Sequence, residues 1–425
     1  MATIKPFRPL RYTEKCGQIS DAVSPPYDII SPEERVNLVN RSKYNIVQLE
    51  LPEGGDDKYK NAAALLNEWV GKGVLAEDEK EGFFVYSETF TVKQKEYTVY
   101  GMLCRVKLCD FSEKIILPHE ETLTKAKTDR FNLMGKTFCN FSPIYSLYID
   151  EARAVPSILV RVMQSESEIA FTDDGAVTHR LWKISDASDI RAIQNAMADK
   201  QLFIADGHHR YETALNFRNK LREQDKFDET SADYQMMMLV DMDNDGLVIF
   251  PTHRLVNPPE DITADELLQK CSDSFEITEY DDINTVEAEL EKYNKVTAFA
   301  LYDGKKGFSL LILKDKNAMK TILPQKSDAY RGLNVSVLHT LILDKLLGID
   351  ADNMALGKSL TYTRDIDFAI TCVKNGNAKF AFILNSTRIH EIKDISLAGE
   401  KMPQKSTYFY PKLITGLTIN NLLTK

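Results

Sequence analysis

The chain reads as an α+β protein, mixed sheets flanked by helices, and three observations predict it. Apolar runs of strand type and apolar residues at helical spacing are interleaved along the whole sequence. Several strand runs come in pairs around short polar turns, the mark of hairpins, while the long strand–helix–strand alternation of a doubly wound sheet is absent. The third is size: 425 residues exceed what one hydrophobic core usually carries, so two lobes are expected.

Near the start, Pro25-Pro26-Tyr27-Asp28 imposes extended or turned backbone, and Ser31-Pro32-Glu33-Glu34 then supplies an N-cap, a proline at the first helical position and a capping-box glutamate. Ala62, Leu65, Leu66, Trp69 and Val70 keep helical spacing between Tyr59 and Leu75, with Gly71 and Gly73 to end the helix. Phe83 to Val92 and Tyr97 to Val106 predict a hairpin around Lys93-Gln94-Lys95-Glu96. Glu113 to Leu117 predicts a strand, Asp186 to Met197 a helix, and Leu202 to Ala205 a buried strand leading into a helix with Ala214, Phe217 and Leu221 on its apolar face. Met236 to Val240 and Leu247 to Phe250 flank Asp243-Asn244-Asp245-Gly246, which predicts a second hairpin.

Asn257-Pro258-Pro259-Glu260 is the clearest break. It divides the chain into an N-terminal α+β lobe, 1–256, and a C-terminal α+β lobe, 257–425, that returns Lys405 to Lys412 to the site. Beyond it come a helix at Ala264 to Lys270, a hairpin of Val296 to Leu301 with Phe308 to Leu313, and a helix from Val335 to Leu347 stopped by Gly348.

The net charge of −10 opposes a general affinity for nucleic-acid backbones or anionic membranes, yet leaves room for a local basic pocket. No apolar run nears the roughly 20 residues of a bilayer span, and the opening residues Met1 to Pro6 lack an apolar signal segment, so a cytoplasmic protein is expected. Six scattered cysteines without a C-x-x-C pair indicate packing residues rather than a zinc site or disulfide framework.

Asp206-Gly207-His208-His209-Arg210 is the densest chemistry in the chain. It falls where strand periodicity changes to helical periodicity, so Asp206 is the expected N-cap, Gly207 permits close backbone approach, and the positive end of the helix attracts phosphate or carboxylate. The competing reading is a capped helix with surface histidines. A second cluster, Pro118-His119-Glu120-Glu121-Thr122 with Lys125, Lys127, Asp129 and Arg130, holds residue types used in acid–base work and phosphate clamping, or else is a solvated face. It is no H-E-x-x-H metalloprotease motif, because Leu123 stands where the second histidine belongs. Thr252-His253-Arg254 either lines the same cleft or ends a hairpin, and Lys401 to Lys412 is either an anion contact or a lysine-gated edge strand. The P-loop, the Rossmann glycine turn, the nucleophile elbow and the protein-kinase loop are all absent from the sequence.

Taken in order, Pro25 to Asp28, Pro118 to Thr122 with Lys127, Asp129 and Arg130, Ser142-Pro143-Ile144, Ala205 to Leu215, Pro251 to Arg254 and Met402 to Lys412 resemble a family of bacterial and archaeal proteins of unknown function, often linked to the chromosome-partitioning protein ParB. The Asp206 to Arg210 string also resembles the Asp-Gly-His-His-Arg signature of the ParB/sulfiredoxin superfamily, in which this turn holds nucleotide phosphates. That resemblance implies a ParB/sulfiredoxin-like core. Sulfiredoxins use a cysteine inside the motif, where this chain has His208, and partitioning proteins add a helix-turn-helix and a basic surface not seen in this acidic sequence. Free-serine kinases, which pass phosphate between an adenine nucleotide and L-serine, keep the His-His-Arg triplet.

The function expected is phosphoryl transfer between ATP or ADP with Mg and a small hydroxylated metabolite, serine or phosphoserine first. Asp206 and Gly207 form the nucleotide-phosphate turn with His208, His209 and Arg210, which also stabilise developing charge. His253, Arg254 and Lys405 add nucleotide contacts; Glu120 or Glu121 is the base; His119, Lys127 and Arg130 bind substrate; Glu120 and Asp129 are the metal ligands. The alternatives are a nucleotide-sensing protein without chemistry and, disfavoured by charge, nucleic-acid binding or cleavage.

Overall fold

The computed structural model describes residues 1–122, 124–223, 231–350 and 359–423, excluding the side chains of residues 124–126 and 231, so Leu123 and the Lys125 side chain lie outside it. Its architecture is α+β with mixed sheets, in two compact units. The first comprises Met1–Pro118, Thr122–Val248 and Pro411–Lys425; the second comprises His119–Glu121 and Ile249–Tyr410. The division thus differs from the expected 256/257 break: the C-terminal segment from Pro411 belongs to the first unit. Pairing explains this, since Thr415 bridges Ser24, Ile419 bridges Leu10, and Asn420 pairs with Asn140.

The first unit is built on a nine-stranded sheet. Its path runs Ile116–Leu117, Leu202–Asp206, Ile144–Tyr148, Tyr234–Asp241, Lys95–Lys107, Phe83–Val92, Thr178–Ile184, Ile169–Thr172. Ile4–Lys5 takes the edge of Lys95–Lys107 beyond the point where Phe83–Val92 ends. The expected first hairpin is present, with Val92 opposite Lys95 across Lys93 and Gln94, both at positive φ (48° and 65°). The second expected hairpin is absent. Both edges of Tyr234–Asp241 are occupied, antiparallel by Lys95–Lys107 and parallel by Ile144–Tyr148, so Val248–Ile249 pairs with Phe409–Tyr410 instead. The turn itself forms, and Gly246 is required there: a Cβ would lie 2.1 Å from the Thr98 carbonyl oxygen.

Helices form where local signals are strong. Pro32–Arg41 carries the full Ser31/Glu34 capping box, and Ala187–Met197 is capped by Asp186. Lys58–Gly71 stops at the first of the two glycines expected to end it, and Leu75 beyond it joins a short strand with Tyr12. The strand before Pro118 is only Ile116–Leu117, preceded by the turn Phe111–Glu113.

The second unit holds an all-antiparallel six-stranded sheet in the order Phe275–Tyr280, Phe308–Leu313, Ala298–Tyr302, Phe380–Leu384, His253–Val256, Leu360–Thr363. Both faces are covered, so Ala298–Tyr302 and Phe380–Leu384 are buried along their whole length and read as unbroken apolar runs. The helix expected over Val335 to Leu347 is Asn334–Val337 continued by a wider π-type turn, Leu338–Asp344. All six cysteines are buried and unbridged. Among the described residues no helix is long and apolar enough to cross a membrane.

Candidate functional site

The chemistry divides by unit. In the first, the buried strand Leu202–Asp206 delivers Asp206 to the start of the 16-residue helix His208–Glu223. The N-cap position is Gly207, one residue later than the Asp206 expected there. Gly207 has φ +96°, and a Cβ would sit 2.9 Å from Arg210 Nη2, so glycine alone lets the guanidinium fold back over the turn.

Asp206 is instead the hub of an ion cluster. One carboxylate oxygen accepts from Arg210 Nη2 at 2.8 Å and the other from Lys412 Nζ. Arg210 Nη1 donates to the Pro143 carbonyl at 2.6 Å. Burial pushes the Asp206 carboxyl up, but Lys412 and Arg210 outweigh it and hold it well below the usual carboxylate range. Both cations are thereby pre-positioned beside the helix N-terminus, where the dipole adds further positive potential. His208 is buried and His209 half-buried on the first turn.

Lys127 and Arg130 stand on the neighbouring helix, Thr124–Thr137, each already committed. Lys127 and Thr122 both donate to Glu212 Oε2 at 2.7 Å. Arg130 donates to Asp129 Oδ2 (Nη2, 2.5 Å) and to the Glu50 carbonyl (Nη1, 2.7 Å), and lies 4.0 Å from the centroid of the Tyr27 ring. The proline-rich Tyr27 loop therefore acts as a platform for this guanidinium.

Asp129 does not fit a metal ligand. Lys58 and Tyr59 donate to one of its oxygens at 2.9 and 2.8 Å, Arg130 occupies the other, and against the opposing effect of burial these partners lower its pKa to about 2. A dication placed there would face two cationic side chains. Among the described residues no group of three or more His, Cys, Asp or Glu is arranged to hold a metal ion.

A cavity of about 40 Å³ lies in the first unit beside Arg130 and Arg210. Glu50, Asn140, Ser142, Thr213 and Gln235 supply its other polar lining, and Leu133 and Phe141 part of its apolar wall.

In the second unit, His119, Glu120 and Glu121 meet the turn Met402 to Thr407. His119 is buried, its Nε2 3.0 Å from Thr407 Oγ1, and its carbonyl accepts from Met402 N at 2.8 Å. Glu120 Oε1 accepts from the Lys405 backbone N–H at 3.4 Å. Lys405 has φ +58°, left-handed backbone that a lysine adopts at some expense, and its side chain is exposed. Glu121 is exposed.

His253 and Arg254 lie inside the sheet rather than at a hairpin end. Arg254 is fully buried; it donates to the Thr252 carbonyl and, at 3.1 Å, to the Lys405 carbonyl. Burial lowers its pKa to about 10. His253 Nδ1 accepts from Leu384 N at 3.2 Å, and burial reinforced by Arg254 pulls the imidazole down to about 4.

Within the first unit the structure thus gathers Asp206, Gly207, His208, His209 and Arg210, and it assigns the lysine contact to Lys412 in place of Lys405. The sequence offers Lys412 only as the end of the Lys401 to Lys412 anion contact, and it gives no role to Glu212, Glu50 or Gln235.

A family model described as a protein of unknown function, DUF1015, matches residues 4–336, and the chain belongs to that family. No match among curated proteins reaches significance. Among solved structures, a free serine kinase in complex with AMP matches at 13% identity and TM-score 0.35, over 72% of this chain and 88% of that one. A conserved hypothetical protein from Pyrococcus furiosus matches at 13% and 0.33 over 70% and 89%, and SbnI with a C-terminal truncation from Staphylococcus aureus at 10% and 0.36 over 75% and 86%. The likeness is remote, and no residue role is taken from it.

Proposed function

We propose that this DUF1015 protein binds nucleotide phosphate at the Asp206 to Arg210 turn and transfers a phosphoryl group between ATP or ADP and a small hydroxylated metabolite, with serine or phosphoserine the first candidate. The observation that carries the reading is the Arg210–Asp206–Lys412 cluster at a helix N-terminus. Two cations are fixed there by one carboxylate with no flexible search left, and the turn's glycine leaves room for the Arg210 guanidinium to lie over it.

Arg210, Lys412 and the first-turn N–H groups receive the phosphate oxygens, and His208 and His209 offset charge that develops as the phosphoryl group moves. Glu120 or Glu121 is the candidate base toward the acceptor hydroxyl, assigned on residue type. Lys127 and Arg130 act mainly by shaping the first unit, since Glu212 and Asp129 already hold them. No step is routed through magnesium, because Asp129 does not suit it. A ParB/sulfiredoxin-like ancestry is part of this proposal and rests on the motif alone.

The poor fit of Asp129 to a metal favours one rival, a nucleotide-sensing protein without chemistry. Incubation with ATP or ADP, magnesium and L-serine, assayed for phosphoserine and run in reverse from phosphoserine, separates the two. His209→Ala is expected to remove about 2 to 4 kcal/mol of transition-state stabilisation. Nucleotide-dependent thermal stabilisation with no turnover supports the sensor, and absence of nucleotide binding refutes both.

A further inference from the structure

We propose that Tyr86, Glu88 and His179 form a buried one-proton switch in the first unit, and that loss of this proton loosens the C-terminal segment carrying Lys412. The three side chains are 2%, 0% and 1% exposed and meet at one phenol oxygen. Tyr86 Oη lies 3.0 Å from Glu88 Oε1 and 2.7 Å from His179 Nδ1, and the Ile414 backbone N–H donates to it. His179 Nε2 lies 3.1 Å from Oδ2 of Asp173, whose side chain is 34% exposed and links the group to solvent. Because a carboxylate only accepts, Nε2 carries a hydrogen and Nδ1 of the neutral ring carries the lone pair.

A phenol has one hydrogen to donate, yet with Glu88 ionised and His179 neutral two acceptors face it. One more proton settles both contacts. On Glu88 Oε1 it is donated to Tyr86, which donates its own to His179 Nδ1; on Nδ1 it is donated to Tyr86, which donates to Glu88. The two arrangements interconvert as one proton passes from Oε1 to the phenol oxygen and the phenol proton passes to Nδ1, with net charge unchanged. Burial pushes Glu88 up to about 8, its Oε2 has no hydrogen-bond partner, and among the described residues no lysine or arginine pairs with it. The other titratable groups facing it, Asp173 and Tyr145 on Ile144–Tyr148, also oppose a negative charge there, and Lys95–Lys107 sets Val99 opposite. Without the proton, a lone pair faces the phenol oxygen across a buried contact, and the two atoms are driven apart. His179 is the fixed partner, with Asp173 on its other nitrogen and Phe171 stacked at 4.9 Å. Tyr86 yields instead, because its remaining contact, Ile414 N–H, belongs to a segment outside the sheet. Two residues earlier Lys412 contacts Asp206, so the phosphate turn feels the change.

Solvent exchange of the Ile414 amide, read by NMR on the full chain and corrected for intrinsic rates, tests the switch. Protection is expected to stay level up to about pH 7 and to drop roughly tenfold by about pH 9.5, because the proton leaves the folded protein as pH passes about 8. A loss through global unfolding has a different window, from about 4.5 to about 8, and levels off above it. Glu88→Gln places an amide donor where the carboxyl proton sat, and is expected to keep Ile414 protected at high pH. Tyr86→Phe removes the acceptor and is expected to leave Ile414 weakly protected at every pH, which carries the test if Glu88→Gln does not fold. AMP affinity is the coupled readout, expected to weaken about fivefold over the same step in wild type and to hold in Glu88→Gln. That readout rests on the phosphate reading: a chain that binds no AMP refutes that reading, while the exchange result at Ile414 still decides the switch. Protection unchanged through about pH 8, an equal drop in Glu88→Gln, or AMP binding with the same pH dependence in both proteins overturns the proposal and leaves a polar cluster that only joins strands.

Discussion

Replacing Lys412 by methionine tests the organisation of the phosphate turn directly. Lys412 and Asp206 contact each other with side-chain exposures of only 11% and 19%, in a pair with Arg210 on the opposite oxygen. Two unit charges about 4 Å apart interact by roughly 4 kcal/mol at an effective dielectric near 20, and breaking a fully buried pair typically costs about 3 to 5 kcal/mol. Residual exposure and the surviving Arg210 contact reduce this, so Lys412→Met is expected to destabilise the first unit by about 2 to 3 kcal/mol at pH 7. Tryptophan fluorescence isolates that unit, and the midpoint of its thermal transition is expected to fall by roughly 5 to 10 °C.

The pH dependence supplies a sharper criterion. Asp206 is held below the ordinary carboxyl pKa in the folded state, so its contribution is complete above the unfolded value, about 4, and is lost as pH falls through the folded one. In Lys412→Met the folded pKa rises toward the unfolded one, so the acid loss still begins near the unfolded value but is smaller and is complete at higher pH. Lys412→Arg is expected to restore most of the stability. A change under about 0.5 kcal/mol at pH 7, the size of an ordinary surface substitution, or a variant whose acid limb coincides with wild type, refutes the ion cluster as the organiser of the turn.

Three further outcomes follow from buried groups and backbone. Glu88 is fully buried, accepts from Tyr86 Oη at 3.0 Å, and is pushed by burial to about 8. The unfolded chain therefore releases this proton at lower pH than the folded one, and stability falls as pH rises from about 4.5 to about 8. Glu88→Gln is expected to flatten that slope in urea titrations, and parallel curves for wild type and variant count against it. His253 runs the other way: its pKa is pulled down to about 4, so the second unit loses stability as pH drops from about 6.5 toward 4. Hydrogen exchange at Phe380–Leu384, corrected for intrinsic rates, is expected to show that loss in wild type and less of it in His253→Gln; identical profiles contradict it. Gln94, at φ 65° in the two-residue turn, is a site where Gln94→Gly is expected to add about 0.5 kcal/mol by relieving left-handed strain, read as a higher thermal midpoint.

What the sequence made legible was whatever is decided within a few residues. Ser31 and Glu34 are three apart and cap each other whatever the rest of the chain does, so the capping box was readable and is present. The Asp206 to Arg210 string was equally local, as was the strand-to-helix switch beneath it. Pairing is different, because strands compete for edges. The Asp243 to Gly246 turn forms as its residues require, yet no hairpin follows, since both edges of Tyr234–Asp241 are taken by strands distant in sequence.

The same reasoning explains the exchange of Lys405 for Lys412. Both lysines lie in one short basic segment, and nothing local ranks one above the other. The choice is made by Thr415, Ile419 and Asn420, whose pairings with Ser24, Leu10 and Asn140 anchor the C-terminal segment in the first unit and leave Lys412 at Asp206, 206 residues away in sequence. Glu50 was hidden for a related reason. It ends the short helix Val47–Glu50 and looks like an ordinary surface acid until Ser142, Arg130 and Gln235 close around it. An ionisable residue's type is written in the sequence, whereas its charge balance depends on partners chosen by tertiary packing. The distant partner Lys412 is therefore the position where mutagenesis discriminates most between a phosphate turn that is merely capped and one that is electrostatically built.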